Sequence, residues 1–308
     1  MRIAVVGAGA VGLSVAARLS LVCDVYAVSR RRHAEAIRRS GFVMTGIWGE
    51  GTYHFPCGES LPEDSGFDYV IVTAKSQDTR AVCTQFATVC SDTEVVSLQN
   101  GIGNEEIIAE YTGRVIGGTI ITGFEWKGDG QVHVSVEAGP IRLGRFPSGT
   151  DGAVSALVEI FRAAGMNAEE SRDIRVDLWG KTLYNAALNP LGAIMGVPYG
   201  DLAHPAAWRI IEQVVAEAFA VAAADGVRPA WATPDEYLAF LRDVQLPATA
   251  LHHSSMLQDL ERGRPTEIAS LNGAIVAKGR LHGIPVPVNA TLADLIAFRE
   301  HQISAKPG

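Results

Sequence analysis

A glycine pattern close to the start of the chain restricts the possible folds more than any other feature. Gly7, Gly9 and Gly12 give the spacing G-x-G-x-x-G directly after the apolar run Arg-Ile-Ala-Val-Val. Residues 10–21 then repeat apolar side chains at helical intervals, and a second apolar run covers residues 25–28. This order predicts strand, turn, helix and strand, the βαβ unit of a doubly wound sheet.

The three glycines have separate physical roles in such a unit. Gly7 permits the tight turn, Gly9 removes the side chain where a pyrophosphate approaches, and Gly12 lets the helix pack closely on the strand. The N-terminus of the helix then offers free N–H groups and the positive end of its dipole. We predict a dinucleotide site here, the alternative being a glycine turn without a ligand. Its predicted contacts are Gly7, Ala8, Gly9, Ala10, Val11 and Gly12.

Arginines follow the second predicted strand, at the position that distinguishes NAD from NADP sites. A carboxylate about 20 residues after the glycines would bind the ribose 2′-hydroxyl of NAD. The chain instead has Ser29, Arg30, Arg31 and Arg32. Guanidinium groups bind a 2′-phosphate through charge-assisted hydrogen bonds, so we expect NADP(H) to be held by Arg30 or Arg31. Arg32 is better explained as the start of a solvated helix.

The remaining pattern predicts two domains of different class. A chain of 308 residues exceeds the usual size of one core. Up to about residue 150, continuous apolar runs alternate with helical stretches, as in strands buried on both faces of a parallel sheet. Helical patterns dominate afterwards. We predict an α/β fold class, with a Rossmann-type doubly wound sheet in residues 1–172 and an all-α domain in residues 173–308.

Individual strands of the first domain are placed by their apolar runs. Alternation at Val132, Val134 and Val136, followed by Ile141 and Leu143, predicts an antiparallel pair that completes the sheet. A long helix is expected to begin near residue 173. Continuous strands are predicted at residues 69–73, 94–98 and 115–121.

Charge and cysteine content exclude several classes of function. The formal net charge is −8, so the chain lacks the basic field that collects nucleic acid or anionic membranes. The four cysteines show no CxxC spacing and are too sparse for a disulfide scaffold. No apolar run reaches the roughly 18 residues of a membrane span, and we find no targeting segment. We expect a cytoplasmic protein without nucleic-acid or membrane partners.

Two polar residues lie where predicted strands end. Lys75 follows the strand that ends near Thr73, and Asn100 follows the strand that ends near Leu98. Ligands of open α/β sheets bind at the carboxyl ends of the strands, so both residues are candidates for a ligand site. Taken singly, Lys75 could equally be a surface lysine and Asn100 part of an ordinary Asn-Gly turn.

Polar residues also interrupt the apolar pattern of the second domain. Lys181, Asn185 and Asn189 are spaced i, i+4 and i+8 and therefore share one face of a helix. A solvated face ordinarily carries charges of both signs, so this stripe favours a binding site over a solvent-facing surface. Pro190 lacks an N–H group and is expected to leave one helix carbonyl free.

A last polar cluster covers residues 254–267. A helix that ends at Gly263 and another that begins near Pro265 would place Glu267 in a first turn, where the dipole favours the ionised carboxylate. Ser255 as a helix cap and Glu267 as a simple complement of the dipole are the alternative explanations. Both sets of roles are compatible with the spacing.

Together these segments resemble the ketopantoate reductase family, the 2-dehydropantoate 2-reductases, over essentially the whole chain. The resemblance implies a Rossmann domain followed by a helical domain like the C-terminal domain of 6-phosphogluconate dehydrogenase, with the substrate in the cleft between them. It also implies a homodimer formed through the helical half. The matching segments are Gly7 to Gly12, Thr73-Ala-Lys75, Gln99-Asn100-Gly101, Lys181 with Asn185 and Asn189-Pro190, and residues 254–267.

The resemblance implies an activity, the NADPH-dependent reduction of 2-dehydropantoate to pantoate in pantothenate biosynthesis. By this similarity Lys181 is the general acid that protonates the forming alkoxide, and Glu267 holds the substrate hydroxyl or fixes the lysine. The chemistry agrees, because ketone reduction needs a proton donor and a lysine with the ordinary pKa of about 10.4 is protonated at neutral pH. The other implied roles are substrate contact for Asn185, Asn189, Ser255 and His252, and cofactor contact for Lys75 and Asn100.

Two positions depart from the family pattern. Enzymes dedicated to ketopantoate often carry Asn in the Pro-x-Gly loop after the catalytic helix, where this chain has Tyr199. His252 stands where a further substrate-contacting Asn is often found. These differences support a second hypothesis, that the pocket accepts a different or wider set of 2-keto acids.

Two other classes of function fit part of the pattern. A 3-hydroxyacid or 6-phosphogluconate type dehydrogenase also joins a Rossmann domain to a helical one, but the Ser-Ser-Met-Leu-Gln-Asp segment speaks against it. A protein that senses NADP(H) without turnover would have no reason to keep Lys181 and Glu267 together. We expect no metal, because the adjacent His252 and His253 provide no coordinating face.

Overall fold

The computed structural model describes residues 1–62 and 66–304, and the chain divides into two compact units. The first unit consists of Met1–Gln99 and Asn104–Arg175, and the second of Asn100–Gly103 and Val176–Gly308. The predicted domain boundary after residue 172 stays a prediction. The sequence did not indicate that residues 100–103 belong with the second unit.

The first unit is α/β. Its strands are β1 (Arg2–Val6), β2 (Asp24–Val28), β3 (Phe42–Gly46), β4 (Gly51–Tyr53), β5 (Cys57–Gly58), β6 (Tyr69–Val72), β7 (Glu94–Ser97), β8 (Val115–Thr119), β9 (Thr122–Gly128), β10 (Gln131–Glu137), β11 (Ile141–Arg145) and β12 (Ala168–Glu170). Its helices are α1 (Ala10–Leu19), α2 (Arg31–Ser40), α3 (Thr79–Gln85), α4 (Ala87–Cys90), α5 (Asn104–Ala109) and α6 (Gly152–Ala163).

The main sheet has a doubly wound order. Within the described residues its strands run β12-β11-β8-β7-β6-β1-β2-β5. β1 is an interior strand that pairs in parallel with β2 on one side and β6 on the other, and all four residues of β6 are buried. Two apolar clusters line the opposite faces, one around Ile3 and Val5 and the other around Ala4 and Val6. The alternation of successive side chains to both faces explains the continuous apolar runs and confirms the Rossmann-type fold class.

The predicted antiparallel pair over residues 131–145 is wrong. β10 pairs antiparallel with β9 in a separate sheet of order β4-β3-β10-β9, whereas β11 pairs antiparallel with β8 in the main sheet. Alternating apolar residues indicate that a strand is half-buried, but they do not identify its partner strand. The missed signal was Asp129-Gly130 between β9 and β10, a two-residue hairpin turn with Gly130 at φ +69°.

The second unit is helical in its described residues. Its helices are α7 (Ile174–Met195), α8 (Pro205–Ala224), α9 (Pro234–Phe240), α10 (Leu246–Ala248), α11 (Ser255–Glu261), α12 (Asn272–His282) and α13 (Pro287–Ser304), with a π-helical segment at Leu241–Gln245 and 3₁₀ turns at Tyr199–Ala203 and Ile268–Ser270. The long helix predicted near residue 173 is confirmed as α7, of which residues 174 and 175 belong to the first unit. In the described residues no helix is long and apolar enough to cross a membrane.

Glu267 does not lie in the first turn of an α-helix as predicted. It immediately precedes the 3₁₀ turn Ile268–Ser270, and α12 begins only at Asn272. The sequence reasoning combined these two short elements into one helix. The helix-dipole argument for the ionisation of Glu267 therefore does not apply, because one short turn has no appreciable macrodipole.

Pro190 leaves a carbonyl free inside α7, and a buried asparagine pairs with it. Without an N–H at position 190, the oxygen of Ala186 has no helical donor. The Nδ2 of Asn272 donates to it at 3.1 Å, and also donates to Asn289 Oδ1 at 3.0 Å. Asn289 Nδ2 donates in turn to Glu217 Oε2 at 2.8 Å. The predicted free carbonyl is confirmed, and a chain of hydrogen bonds satisfies it.

Replacing Asn272 with alanine is expected to lower the free energy of unfolding by about 2–4 kcal/mol, because two buried acceptors lose their donor and a cavity remains. Urea unfolding followed by circular dichroism measures the change. Asn167→Ala is the matched control, since Asn167 is exposed and an exposed substitution changes stability by about 0.5 kcal/mol or less. Equal stability of the two variants would contradict this account of the α7 break.

Candidate active site

The turn between β1 and α1 has the geometry of a phosphate-binding loop. Gly7 has φ +67°, and a Cβ built on it would lie 2.4 Å from Ala74 Cβ. A Cβ on Gly12 would lie 2.2 Å from Thr73 Oγ1, whereas a Cβ on Gly9 would meet nothing within 4 Å. Gly7 and Gly12 are thus required for packing, and the space beside Gly9 is left free, as a dinucleotide-binding turn requires.

Backbone donors at this turn are kept available. Gly9 is the N-cap of α1, and no side chain in the described residues caps that helix end. Ala8 is held in place from the end of β2, because its N–H donates to Val28 O at 2.8 Å and its carbonyl accepts from Ser29 Oγ at 2.6 Å. Sequence reasoning missed this role of Ser29. The available sequence signal was a serine directly after an apolar strand.

The three arginines after β2 differ in their partners. Arg30 is exposed at the N-cap of α2, and its guanidinium makes no hydrogen bond or ion pair with the described part of the chain. Arg31 donates to Glu35 Oε1 at 2.8 Å, and this bond together with the charge of Glu59 raises the pKa of Arg31. Arg32 lies 3.5 Å from Asp129. Arg30 is therefore the residue best able to take up a phosphate.

Lys75 occupies the carboxyl end of β6, as predicted. It is the N-cap of the 3₁₀ turn Ser76–Asp78. The backbone beside it is fixed by Gln99, whose Nε2 donates to Ala74 O at 2.9 Å and to Thr79 Oγ1 at 2.8 Å. Gln99 is almost fully buried and is a supporting residue that sequence reasoning did not single out.

In the second unit, Asn100 joins the two residues that carry opposite charge. Lys181 Nζ donates to Asn100 Oδ1 at 2.7 Å, and Asn100 Nδ2 donates to Glu267 Oε2 at 2.7 Å. Asn100 was expected on the cofactor side of the site, and the structure places it as the bridge between Lys181 and Glu267. This three-residue chain brings a proton donor, an amide and a carboxylate together.

A close backbone approach holds Asn100 in position. Gly101 has φ +84°, and a Cβ there would lie 2.1 Å from Ser270 O. Ile102 N donates to the same carbonyl at 3.1 Å. The Asn-Gly step is therefore more than an ordinary turn, because only glycine permits this contact between residues 100–103 and the turn that follows Glu267.

A small pocket, open to solvent, lies next to this chain of hydrogen bonds. The amide of Asn185, the Nδ2 of Asn189 and the hydroxyl of Ser255 have no hydrogen-bond partner in the described part of the chain. The pocket thus offers polar groups that a ligand can pair with. Its lining residues are Asn100, Asn185, Asn189, Ser255, Met256, Asp259, Glu267 and Leu271.

The structure shows which residues of the polar stripe on α7 line the pocket, and which of the two serines, Ser254 or Ser255, caps α11. Asn185 and Asn189 both line the pocket, while Lys181 reaches Asn100 at its edge. Ser254, rather than Ser255, caps α11 by accepting from Leu257 N at 3.0 Å. Capping by Ser254 leaves the exposed Ser255 available to a ligand.

One predicted substrate residue is not part of this lining, and one polar residue of the lining was not predicted. His252 does not line this pocket; its ring packs against Tyr199 with centroids 5.4 Å apart. Asp259 lines the pocket and lies 3.0 Å from Arg264. Its spacing of four residues from Ser255 on α11 was a signal that sequence reasoning did not use.

The arrangement can bind and protonate a small oxygen-rich ligand. Lys181 supplies an ammonium donor, and the amides and Ser255 supply hydrogen bonds to oxygen atoms. Groups of three or more histidine, cysteine or acidic side chains that could hold a metal are absent from the described residues. The polar groups present fit proton transfer to an oxygen atom.

Comparison with known proteins relates the whole chain to one family. Residues 3–148 match the family model described as ketopantoate reductase PanE/ApbA, and residues 173–300 match its C-terminal model. A 2-dehydropantoate 2-reductase of Archaeoglobus fulgidus is 38% identical over 297 residues, which cover 96% of each chain.

Solved structures agree with this relationship. A PanE/ApbA family ketopantoate reductase from Ralstonia eutropha JMP134 superimposes with a TM-score of 0.88 at 29% identity, covering 99% of this chain and 100% of the other. A D-mandelate dehydrogenase with NADH and anilino(oxo)acetate gives a TM-score of 0.89 at 28% identity, with the same coverage. Both halves of the chain, in sequence and in structure, therefore make it a member of the ketopantoate reductase family.

Proposed function

We propose that this chain reduces a 2-keto acid to the 2-hydroxy acid with NADPH, and that its substrate is 2-dehydropantoate, giving pantoate for pantothenate biosynthesis. The observation that carries the proposal is the Lys181, Asn100 and Glu267 chain beside a pocket with unpaired amide and hydroxyl groups. The relatives named 2-dehydropantoate 2-reductase support the choice of substrate.

NADPH, when bound, supplies the hydride that adds to the keto carbon. As negative charge develops on the oxygen, the Lys181 ammonium gives it a proton and regains one from solvent after product release. Asn100 orients that ammonium, because its Oδ1 accepts from Lys181 while its Nδ2 is held by Glu267. Ser255, Asn185 and Asn189 bind the carboxylate and side chain, so that substrate binding positions the ketone for the reaction.

The preference for NADPH over NADH is assigned to Arg30. Replacing Arg30 with alanine is expected to raise the KM for NADPH roughly 10–100-fold, the value of one lost charge-assisted contact. The KM for NADH should change little, because NADH has no 2′-phosphate. Steady-state kinetics with both cofactors measures this difference.

Arg32→Ala is the control for the Arg30 variant, since Arg32 belongs to the same arginine run but lies near Asp129. It should leave both KM values nearly unchanged. If the Arg30 variant raises the KM for NADPH and NADH equally, or raises neither, this residue is ruled out as the phosphate ligand.

The proposed activity is tested by following NADPH oxidation with a panel of 2-keto acids. Efficient turnover of 2-dehydropantoate supports the proposal. Tight NADPH binding without turnover of any keto acid would overturn it and favour a protein that senses NADP(H). The hydrogen bonds that Lys181 and Glu267 make to the same asparagine support a catalyst over a sensor.

A second candidate is the same reaction on an aromatic 2-keto acid. The structural neighbour that is a D-mandelate dehydrogenase with NADH and anilino(oxo)acetate favours it. Phenylglyoxylate in the panel separates the two candidates by its kcat/KM relative to that of 2-dehydropantoate.

The remaining parts of the proposal concern the setting of the enzyme. We place it in the cytoplasm as a homodimer formed through its helical half. Light scattering coupled to size-exclusion chromatography measures the mass, and a monomer at the concentrations used for the assay would contradict the dimer.

A further inference from the structure

Tyr199 has a buried hydroxyl that reaches the pocket only through another residue. Tyr199 is 3% exposed, and the residue it pairs with, Asn189, is 4% exposed. The O–H of Tyr199 donates to Oδ1 of Asn189. Burial raises the pKa of Tyr199 well above its usual range near 10. The phenol therefore keeps its proton at neutral pH, and the geometry makes it the donor to Asn189 Oδ1.

The direction of the Asn189 amide follows from this bond. A side-chain amide has an acceptor oxygen at one end and two N–H donors at the other. Because the hydroxyl of Tyr199 donates to Asn189 Oδ1, the Nδ2 faces away from Tyr199. That Nδ2 has no partner in the described part of the chain, and Asn189 lines the pocket. The site therefore presents a donor, and not an acceptor, at this point.

Tyr199 is itself held in place by its neighbours. The ring of Tyr184 meets it edge-on with centroids 5.8 Å apart, and the ring of His252 lies 5.4 Å away. Tyr199 N also donates to His252 O at 3.0 Å. A phenol packed in this way cannot swing aside, so the amide is pre-organised before a ligand arrives.

We infer that Tyr199 is a specificity-determining residue, which holds the N–H₂ of Asn189 toward the pocket and so selects 2-keto acids whose side chain carries an acceptor oxygen. This inference rests on the proposed function. A keto acid with a purely apolar side chain offers that donor no acceptor, and it also displaces the water that would otherwise pair with it. Sites built to pair a substrate hydroxyl reject analogues that lack it far better than apolar pockets distinguish a methylene.

Two keto acids that differ by one oxygenated group give a direct test. 2-Dehydropantoate carries a hydroxymethyl group that 3-methyl-2-oxobutanoate lacks. In Tyr199→Phe, kcat/KM for 2-dehydropantoate is expected to fall roughly 10–100-fold, mainly through KM, because the amide is free to rotate and the binding is lost in ground and transition states alike. For 3-methyl-2-oxobutanoate the change should stay within about threefold.

Tyr184→Phe is the matched control. It also removes one hydroxyl from the same aromatic group, but the hydroxyl of Tyr184 pairs with Thr249 Oγ1 at 2.8 Å and not with a pocket residue. Both substrates should keep their kinetic constants in this variant. If Tyr199→Phe lowers kcat/KM equally for both substrates, or for neither, the inference is overturned and the proposed function stays intact.

The hydrogen bond is also tested without turnover. In wild-type protein a slowly exchanging tyrosine hydroxyl proton should be visible by NMR, absent from Tyr199→Phe and displaced in Asn189→Leu. If that proton is missing from the wild type, the inference fails whatever the kinetics. If the wild type reduces neither keto acid, the proposed function fails, and substrate selection by Tyr199 fails with it.

Discussion

Replacing Lys181 with alanine is expected to lower kcat by roughly 100-fold or more, the usual contribution of a general acid. The Nζ of Lys181 is 2.7 Å from Asn100 Oδ1, and Asn100 donates to Glu267, so the ammonium is held beside a residue that lines the pocket. Alanine removes the proton donor of the reaction, and it also removes the hydrogen bond that Lys181 donates to Asn100 Oδ1. Single-turnover reduction at saturating NADPH measures the loss on the chemical step itself.

The control for Lys181 is Lys127→Ala. Lys127 is an exposed lysine of β9 that pairs with Glu125, so its removal should leave kcat within about twofold, as for most surface substitutions. NADPH binding, followed by its fluorescence, should survive in both variants. A Lys181→Ala enzyme with an unchanged single-turnover rate would show that another group, or water, protonates the alkoxide.

Replacing Gly9 with valine is expected to weaken NADPH binding on the order of 100-fold or more, which corresponds to about 2.7 kcal/mol. The backbone of Gly9 is extended with a negative φ of −89°, so it does not need the left-handed region that favours glycine, and an added Cβ would point into open space. The folded protein should therefore tolerate the substitution. The new side chain would occupy the space into which the pyrophosphate must come. Calorimetric titration with NADPH measures the affinity.

Gly7→Ala provides the opposite pattern. Gly7 has φ +67°, and an added Cβ would come within 2.8 Å of three atoms of Ala74. The variant should therefore lose thermal stability as well as cofactor binding. Unchanged NADPH affinity in a folded Gly9→Val protein would contradict the location of the phosphate site. A destabilised Gly9→Val protein would instead give glycine a structural role there.

The predictions that held are those that depend on neighbouring residues. Gly7 needs a positive φ, and the stripe on α7 needs only the helical repeat of 3.6 residues; both are properties of a few consecutive positions. The free carbonyl of Ala186 followed from the missing N–H of Pro190 for the same reason. These local rules placed the main strands, the glycine turn and the polar face of the long helix.

The predictions that failed depended on partners far away in the chain. β10 pairs with β9 and β3 instead of β11, because register and partner are decided by which apolar faces the whole sheet can bury. Glu267 precedes a 3₁₀ turn and not an α-helix. The prediction missed this because the periodicity of apolar residues does not separate so short a turn from the helix that follows it. His252 packs on Tyr199, and its predicted contact with the substrate stays a prediction.

The candidate site shows the same division between local and long-range information. The residue types that can bind a dinucleotide, donate a proton or pair with oxygen atoms were all readable along the chain. Their combination was not: Lys181 and Asn100 lie 81 positions apart, and Asn100 and Glu267 lie 167 apart. The orientation of Asn189 likewise depends on the proton of Tyr199. Hydrogen bonds act over about 3 Å, so only the folded backbone, which brings these distant positions within that range, decides which groups pair.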